Sequence, residues 1–386
     1  MSFPTVGVVG GGQLARMMAP VAINLGVKLQ VLAEADDVSA TTAASFTVGD
    51  YKEYDTLAAF AESVDVVTFD HEHVPTEHLQ RLEAAGVQLA PGPGALVYAQ
   101  DKLAMRQKMA ELKLPQPDWR AVSSVEELVA AADEIGFPVV LKTPRGGYDG
   151  KGVWVLDSAE HARQTHTWFD GTHQALLVEA KVDFASELSA QIARSTTGET
   201  ITYPVIETIQ TDGVADIVKA PAPNLETATA HAARAAADTI ATAVGVTGML
   251  AVELFHTPDS EAGFMINELA MRPHNTGHWT QDGAVTSQFE QHLRAVLGLP
   301  LGSTDPVVPY TVMKNYLGAE NEDLYGAFPL AMRKYPHAKV HAYGKSVRPG
   351  RKIGHVNVLA IDGNLDAALD AAIDAANIIR HGTTDY

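Results

Sequence analysis

The chain has 386 residues and a formal net charge of −19, with 28 basic against 47 acidic side chains. This length predicts two or three domains, and the acidic balance argues against proteins that bind nucleic acids or anionic membranes through basic surfaces. The lack of cysteine excludes disulfides, thiolate catalysis and Cys-ligated metal sites. No apolar stretch reaches the about 18 residues of a transmembrane helix, and the N-terminal segment does not resemble a secretion signal. We therefore expect a cytoplasmic protein without membrane or nucleic-acid partners.

The first hundred residues alternate between short apolar runs and amphipathic stretches. Strands are predicted at residues 5–9, 28–33 and 65–69, and helices up to about residue 25 and at 55–62 and 76–85. Strands that alternate with helices indicate βαβ units and a parallel sheet. The Pro-Gly-Pro-Gly cluster at 91–94 ends this unit.

The rest of the chain has a different pattern, with strands that follow one another more directly. Strands are predicted at 137–143, 153–156, 174–182, 187–193, 249–256 and 264–270, and helices at 101–114, 225–244 and 287–297. This order favours a mixed, largely antiparallel sheet. After a boundary at 299–302, the pattern predicts strands at 310–317, 339–343 and 356–361 and a helix at 365–379.

A glycine-rich turn follows the first predicted strand. Residues 10–15, Gly-Gly-Gly-Gln-Leu-Ala, fit the G-x-G-x-x-A pattern of dinucleotide-binding proteins, and Glu34 follows where a ribose-binding carboxylate would lie. No second mononucleotide-binding half follows, so the motif alone is weak evidence for NAD. The same turn can offer backbone N–H groups at a helix N-terminus to another anionic ligand.

A second glycine-rich segment, residues 142–152, connects two predicted strands. It holds four glycines, two lysines and an arginine, but it lacks the Ser or Thr of a Walker A loop. Glycines let backbone N–H groups approach phosphates closely. A long hairpin turn is the alternative, although two residues suffice for such a turn. We therefore interpret the segment as a flap over a polyphosphate.

Carboxylates interrupt two apolar strands at Glu253 and Glu268. With Asn267 beside them, they would form an oxygen-rich site for Mg²⁺, whereas two separate structural ion pairs are the alternative. The polar segment 272–281 follows directly and would bring Arg, His and Asn side chains to the same place, where they could hold a small oxyanion.

Four cations occur within eight residues of the basic turn at 345–352. In an acidic chain such a turn predicts a phosphate site, with a solvated surface turn as the alternative. The His-rich segment at 70–73 could suggest a metal cluster, but it lacks H-E-x-x-H spacing. It ends a parallel strand, so a substrate-facing loop is the better interpretation.

Three motifs together resemble the N5-carboxyaminoimidazole ribonucleotide synthetases, a family of ATP-grasp ligases. They are G-G-Y-D-G-K-G at 146–152, N-E-L-A-x-R-x-H-N-x-G-H-W-T-Q at 267–281 and R-P-G-R-K-x-G-H at 348–355. The resemblance covers essentially the whole chain. It implies ATP-dependent carboxylation of 5-aminoimidazole ribonucleotide with bicarbonate in purine biosynthesis, with Mg²⁺ (or Mn²⁺ in its place) as the metal and a homodimer as the assembly.

The resemblance also implies the three-part ATP-grasp fold, which is α/β and in part α+β. We expect a Rossmann-like domain with a parallel sheet over residues 1–100 and an ATP-grasp domain with a mixed or antiparallel sheet over 101–298. Its flap subdomain would cover about 118–180. A small C-terminal α/β domain, 299–386, would carry the basic phosphate-binding turn.

Matching motif positions implies the following roles. ATP would be bound by Lys102, Lys142, Gly146, Gly147, Tyr148, Asp149, Gly150, Lys151, Gly152, Glu179, Ala180, Lys181, Val182, Glu187, Asn267 and Glu268. The metal ligands would be Glu253 and Glu268. The ribonucleotide would contact Gly12, Gln13, Leu14, Glu72, Tyr148, Asp149, Lys345, Arg348, Arg351 and Lys352, and the catalytic residues would be Asp149, Arg272, His274 and Asn275.

The chain departs from the family pattern at three places. Gln210 stands near a nucleotide-contacting position where some relatives have His, Ala15 replaces a glycine, and residues 70–73 are richer in His. Another ATP-grasp ligase, such as a formate-dependent glycinamide ribonucleotide transformylase, is the nearest alternative. An NAD(P)-dependent oxidoreductase and a non-catalytic nucleotide sensor are more distant ones.

Asp149 generates the first prediction, since the resemblance places it beside the exocyclic amine of the substrate. A carboxylate that accepts the amine N–H would orient the lone pair and could take the proton. Asp149→Asn should therefore lower carboxylated product at least about tenfold and leave Mg·ATP binding close to that of the wild type. Product formation and ATP affinity are measured on one preparation. Full activity of the Asn variant would instead make Asp149 a turn residue.

Overall fold

A computed structural model of the chain describes residues 3–146, 152–211 and 213–385. The N-terminal part is a four-stranded parallel sheet in the order β3-β2-β1-β4, with helices between its strands. Its elements are β1 (Thr5–Val9), α1 (Gln13–Leu25), β2 (Lys28–Ala33), β3 (Ser45–Val48), α2 (Tyr54–Ala61), β4 (Val66–Phe69), α3 (Thr76–Ala84) and α4 (Pro93–Gln100). The predicted α/β fold with a parallel sheet is confirmed here.

Two elements of this part were not predicted from the sequence. Strand β3 is the edge strand, and its four residues are all exposed, so it lacks the apolar pattern of a buried strand. Helix α4 begins with Pro93, which the sequence analysis placed in a terminating cluster. Proline is favoured at the first position of a helix because its missing N–H has no partner there. The cluster therefore starts a helix.

A second, small antiparallel sheet has the order β5-β8-β6-β7. It follows α5 (Lys102–Glu111), and the glycine-rich segment connects β6 to β7. Its elements are β5 (Trp119–Val122), α6 (Val125–Ile135), β6 (Val139–Lys142), β7 (Val153–Leu156), α7 (Ala159–Arg163) and β8 (Leu176–Ala180), with a 3₁₀ turn at Gln164–Trp168.

The third sheet has nine strands, in the order β14-β13-β9-β11-β12-β15-β17-β16, with β10 paired to β9. All of these pairs are antiparallel, as the predicted strand order favoured. The strands are β9 (Ser186–Arg194), β10 (Thr200–Thr202), β11 (Ile206–Thr211), β12 (Val214–Ala220), β13 (Gly248–His256), β14 (Phe264–Ala270), β15 (Tyr310–Leu317), β16 (Ala338–Ala342) and β17 (Lys352–Ala360).

The C-terminal strands continue this large sheet through the β12–β15 pair. The helices that accompany the sheet are α8 (Thr227–Val244), α9 (Thr280–Gly283), α10 (Gln288–Val296), α11 (Leu324–Lys334) and α12 (Leu365–His381), with a 3₁₀ turn at Asn275–Gly277. None of the helices in the described ranges is long and apolar enough to cross a membrane.

One apolar cluster holds the first and third sheets together. It includes Val67 of β4, Leu96 of α4, Met105 of α5 and Ile266 of β14, all of them buried. Since burial of a large apolar side chain contributes about 1.5–3 kcal/mol, this contact is a strong one. It brings the C-terminal ends of β1 and β4 next to the ends of β13 and β14.

Candidate active site

A large cleft lies where the three sheets meet, with a cavity volume of about 790 Å³. Its walls come from the turn after β1, the loop after β4, the first turn of α5, strands β13 and β14, the segment after β14 and the basic turn before β17. Among the wall residues are Gln13, Leu14, Glu72, Lys102, Gly146, Glu253, Glu268, Arg272, His274, Asn275, Lys345 and Lys352. Twelve of the predicted site residues therefore line one cleft.

The N-terminus of α1 is capped by a buried carboxylate. Asp70 Oδ1 accepts hydrogen bonds from the N–H groups of Leu14 (3.0 Å) and Ala15 (3.2 Å). A Cβ at Gly12 would lie only 2.0 Å from Asp70 Oδ2, so this position requires glycine. The carboxylate occupies the place that a pyrophosphate takes in dinucleotide-binding proteins. This geometry argues against the NAD(P) alternative.

The His-rich loop after β4 is a packed wall of the cleft. The His73 N–H donates to His71 Nδ1 over 3.1 Å, and the His71 ring stacks on His73 and packs against Tyr51. Burial, together with the nearby His73 and Arg272, lowers the pKa of His71 to about 3. Within the described ranges, no group of three or more His, Asp or Glu side chains is placed to hold a metal ion.

The basic turn reaches the glycine-rich turn of the N-terminal part. Lys345 Nζ donates to Gln13 Oε1 over 2.5 Å, and Lys345 and Lys352 both line the cleft. Burial lowers the pKa of Lys345, and Arg351 and Lys352 add to this effect. Arg351 instead donates to Ser346 Oγ over 2.8 Å within the turn, and Arg348 is exposed. Two of the four predicted cations therefore line the cleft wall, and Arg348 and Arg351 lie behind them in the turn.

Glu72 and Arg272 connect the N-terminal part to the segment after β14. Arg272 Nε donates to Glu72 Oε2 over 2.9 Å, and both side chains line the cleft. Burial lowers the pKa of the arginine, but Glu72 and Asp70 outweigh this effect, so the pKa is raised and the charge is retained. The guanidinium is thus fixed at the centre of the site.

The two carboxylates expected at the metal are cross-strand partners. Glu253 of β13 pairs in register with Glu268 of β14, and the register then shifts, so that Leu254 pairs with Ile266. Asn267 is the extra residue of this β-bulge. A bulge interrupts the alternation of side chains along a strand, so Asn267 and Glu268 can both contact lysines although they are adjacent in the chain. Lys142 Nζ donates to Asn267 Oδ1 over 3.4 Å, and Lys102 Nζ lies 2.9 Å from Glu268 Oε1.

The surroundings of Glu253 and Glu268 separate their pKa values. Burial, followed by the negative charges of Glu268 and Glu187, raises the pKa of Glu253 to about 7. Desolvation acts on Glu268 as well, but Lys102 and Lys142 outweigh it and hold the pKa of Glu268 below its usual value. Burial alone raises the pKa of Glu187. Because Glu268 and Glu187 add to the raised pKa of Glu253, an added cation beside Glu253 would be favourable.

The segment after β14 is held by its backbone as well as by its side chains. The side-chain amide of Gln288 makes two hydrogen bonds to the His274 backbone. Its Oε1 accepts from the His274 N–H and its Nε2 donates to the His274 carbonyl, both over 2.8 Å. His274 Nε2 lies 3.2 Å from Glu253 Oε1. Burial and the nearby Arg272 lower the pKa of His274 well below its usual value, so the ring is neutral at pH 7. Asn275 Nδ2 donates to the Ala215 carbonyl over 3.4 Å.

The lysines expected to contact ATP are both ion-paired with carboxylates. Lys102 pairs with Glu268, and Lys142 pairs with the buried Glu179 at the end of β8. Arg106, one helical turn after Lys102, also contacts Glu179 and was not predicted as a site residue. Its only sequence signal is the i, i+4 spacing from Lys102 on α5, which places both cations on one helix face.

Several predicted residues lie at or beyond the edge of the described site. Gly147, Tyr148, Asp149, Gly150 and Lys151 fall outside the described residues. On one side of them, Arg145 and Gly146 line the cleft, and Arg145 Nε lies 2.9 Å from Asp101 Oδ2. On the other side, the Gly152 carbonyl accepts from the Thr143 N–H.

The expected adenine hinge follows the end of β8. The Ala180 N–H donates to the Asp118 carbonyl over 2.8 Å, and the Lys181 N–H to the Pro138 carbonyl over 3.3 Å. Val182 comes next in the chain, and Glu187 lies on β9, opposite Thr208 of β11. This hinge and Glu187 are thus carried by different sheets.

Three family models match the chain in sequence order. The ribonucleotide synthetase preATP-grasp domain matches residues 3–100, the ATP-grasp domain 107–289 and the phosphoribosylaminoimidazole carboxylase C-terminal domain 311–367. An N5-carboxyaminoimidazole ribonucleotide synthase from Mycobacterium bovis is 48% identical over 371 residues, which cover 93% of this chain and 84% of that protein.

Solved structures show the same likeness. Carboxyaminoimidazole ribonucleotide synthase from Aspergillus clavatus complexed with ATP has 30% identity and a TM-score of 0.87, covering 98% of this chain and 100% of the other. The synthase from the same organism in complex with ADP and 5-aminoimidazole ribonucleotide has 29% identity and a TM-score of 0.88, covering 98% and 99%. The likeness therefore extends over all three parts of the fold.

The raised pKa of Glu253 gives a prediction for the metal-free protein. A carboxyl whose pKa is about 7 when folded, against an ordinary 4.5, stabilises the fold below pH 4.5 relative to higher pH. This stabilisation is lost as the pH rises through about 7, and the free energy of unfolding decreases by about 3 kcal/mol in total. Glu253→Gln cannot ionise, so its thermal stability relative to the wild type should increase between pH 5 and pH 8.

Melting temperatures across this pH range, measured by circular dichroism without metal, check the prediction. Glu207→Gln is the matched control, because Glu207 lies in the same sheet, is paired with Lys219 over 2.7 Å and is not on the cleft wall. A constant difference between Glu253→Gln and the wild type would contradict the assigned environment.

Proposed function

The chain belongs to the N5-carboxyaminoimidazole ribonucleotide synthase family, and we propose that the cleft described above is where it joins bicarbonate to 5-aminoimidazole ribonucleotide. It is an ATP-grasp ligase of purine biosynthesis that uses ATP for this carboxylation. The observation that carries the assignment to the cleft is the meeting of Arg272, Lys345, Lys102 and the carboxylates of Glu253 and Glu268 in one cavity.

We propose that ATP lies between the small sheet and the large one. Lys102 and Lys142 would contact its phosphates, and the backbone at 179–182 would bind adenine. Glu187 would hold the ribose. The flap, residues 146–152, would close over the phosphates as part of a subdomain at about 118–180. The support is the contacts among these residues, since Lys102 pairs with Glu268 and Lys142 contacts both Glu179 and Asn267.

The residues present fit Mg²⁺. Two carboxylates and an amide oxygen from adjacent strands are hard oxygen donors, and Mg²⁺ in phosphoryl-transfer sites takes only one or two carboxylates plus phosphate oxygens. After burial, the negative charges of Glu268 and Glu187 add to the raised pKa of Glu253, and a cation bound there would offset their repulsion. Glu253 and Glu268 would hold the ion, with Asn267 beside them, and the bound ion would offset phosphate charge. Mn²⁺ has similar preferences.

The ribonucleotide would bind at the opposite end of the cleft. Lys345 and Lys352 on the wall would contact its phosphate, with Arg348 and Arg351 adding longer-range positive charge. Gln13, Leu14 and Glu72 would face its ribose and aminoimidazole, since they line the same wall. Gly12 would contribute through its lack of a side chain, because a Cβ atom at this position would lie 2.0 Å from Asp70 Oδ2.

Bicarbonate would bind between the two nucleotide sites. Arg272, His274 and Asn275 lie in the segment that follows β14. The neutral His274 ring and the charged Arg272 guanidinium are suited to hold a small oxyanion. Bicarbonate is a poor electrophile, so activation by ATP gives the carbon a better leaving group. A closed flap would keep water away from the activated species.

We further propose a cytoplasmic homodimer, as the resemblance implies. The described residues contain no cysteine, and disulfide-free chains suit a reducing compartment. Membership of this family argues against the alternative of a formate-dependent glycinamide ribonucleotide transformylase.

The direct test measures ADP release with and without bicarbonate and 5-aminoimidazole ribonucleotide. Turnover should require all three substrates, and formate with glycinamide ribonucleotide should not support it. Glu268→Gln should reduce turnover on the order of 100-fold or more, because it removes a metal charge needed in phosphoryl transfer. Glu290→Gln, a carboxylate paired with Arg294 on α10, is the control. Normal ADP production by Glu268→Gln would exclude the metal assignment.

The basic turn gives a separate prediction. Lys345→Ala should raise KM for the ribonucleotide about tenfold or more and change KM for ATP little, because a charge-assisted phosphate contact is lost. Steady-state kinetics with each substrate varied in turn check this. Lys339→Ala on β16, an exposed lysine of the same hairpin, is the control. An equal rise in both KM values would assign the turn to the ATP site.

A further inference from the structure

Arg106 is fully buried, and neither its charge nor its position was predicted from the sequence to have a function. It lies on α5, one turn after Lys102, and does not line the cleft. Its Nε donates to Glu179 Oε2 over 3.0 Å, and its Nη2 lies 2.9 Å from the same oxygen. Its Nη1 donates to the Ile266 carbonyl over 2.7 Å, next to Asn267 in the bulge.

The second oxygen of Glu179 contacts the ammonium of Lys142. Arg106, Glu179 and Lys142 thus form a buried group of two cations and one carboxylate, with a net charge of +1. Burial alone would raise the pKa of Glu179, but Lys142 and Arg106 outweigh it and hold the pKa below its usual value. The carboxylate is therefore ionised at neutral pH.

An ionised, buried Glu179 poses a problem for a lysine that must bind phosphate. If Glu179 had Lys142 as its only partner, moving the ammonium to a phosphate would leave an isolated buried carboxylate. Breaking a buried ion pair in this way is strongly unfavourable, because it leaves an uncompensated charge away from water. Arg106 removes the problem, because it contacts Oε2 while Lys142 contacts Oε1. Glu179 then keeps a partner when Lys142 leaves.

We propose that Arg106 is a positioning residue that neutralises Glu179 and so frees the Lys142 ammonium for the phosphates of ATP. The inference rests on the ATP site proposed above and adds a residue outside that site. A purely structural role, in which Arg106 only ties α5 to β8 and β14, is the competing interpretation. The two differ in the effect of removing the Glu179 charge.

The experiment measures ATP affinity of the full chain by isothermal calorimetry with Mg²⁺, without bicarbonate or ribonucleotide. Arg106→Gln removes the charge but can still hydrogen-bond to Glu179 and Ile266. It should weaken ATP binding on the order of tenfold or more. The double variant Arg106→Gln/Glu179→Gln should recover most of the loss, because Lys142 then has no carboxylate to neutralise it. Arg106→Lys, which keeps the charge, should stay near the wild type.

Two further measurements separate charge from packing. The first is ADP affinity, which should fall in Arg106→Gln in the same way as ATP affinity, because Lys142 would contact the phosphates of either nucleotide. Adenosine, which has no phosphate, should bind both proteins equally in competition with ATP. Arg294→Gln is the matched control, an arginine paired with Glu290 on α10, away from the cleft.

The outcomes separate this inference from the proposed function. If the wild type does not bind ATP, the proposed function fails. If the wild type binds ATP and Arg106→Gln binds it equally well, only the role of Arg106 is overturned. It is also overturned if the double variant is no better than Arg106→Gln. Circular dichroism verifies folding, and if Arg106→Gln does not fold, Arg106→Met with the same second substitution takes its place.

Discussion

The pairing of charges on the cleft wall is the constraint on which the rest of this structure depends. Lys102 of α5 contacts Glu268 of β14, and Arg272 after β14 contacts Glu72 after β4. Each pair joins segments that are far apart in the chain. Because separating these segments would leave partly buried charges without partners, the pairs favour the observed arrangement of the segments. The same contacts hold the side chains where phosphates and an oxyanion would bind.

Aromatic and imidazole rings extend this connection to the C-terminal strands. The ring of His278, in the segment after β14, stacks on the ring of His355 in β17 with a centroid distance of 5.0 Å. The His355 ring in turn stacks on the ring of His341 in β16 with a centroid distance of 4.4 Å. His341 Nε2 lies 2.7 Å from Asp282 Oδ2. These stacked rings fix the base of the basic turn against the segment after β14, so that Lys345 is positioned by packing as well as by its own contact with Gln13.

The fold and the residue types of the site were largely predictable from the sequence, and their contacts were not. Strands 264–270 and 310–317 were predicted to the residue because buried strands give long apolar runs with sharp ends. The edge strand β3 and helix α4 have no such signal. The bulge at Asn267, the capping of α1 by Asp70 and the Arg106–Glu179 pair depend on partners 56 to 73 residues away or on backbone register. No local pattern encodes them.

These contacts determine what substrate binding must do. Lys102 and Arg272 on the cleft wall already have carboxylate partners, so an incoming phosphate or oxyanion exchanges partners with them rather than meeting unpaired cations. Glu253 differs, because its contact is with the neutral His274 ring while Glu268 and Glu187 repel it. A divalent cation placed there would remove that repulsion and lower the pKa of Glu253. The cation would also replace Lys102 as the partner of the Glu268 carboxylate, so that the Lys102 ammonium could turn toward a phosphate. Metal binding and phosphate binding would then favour each other through one shared carboxylate.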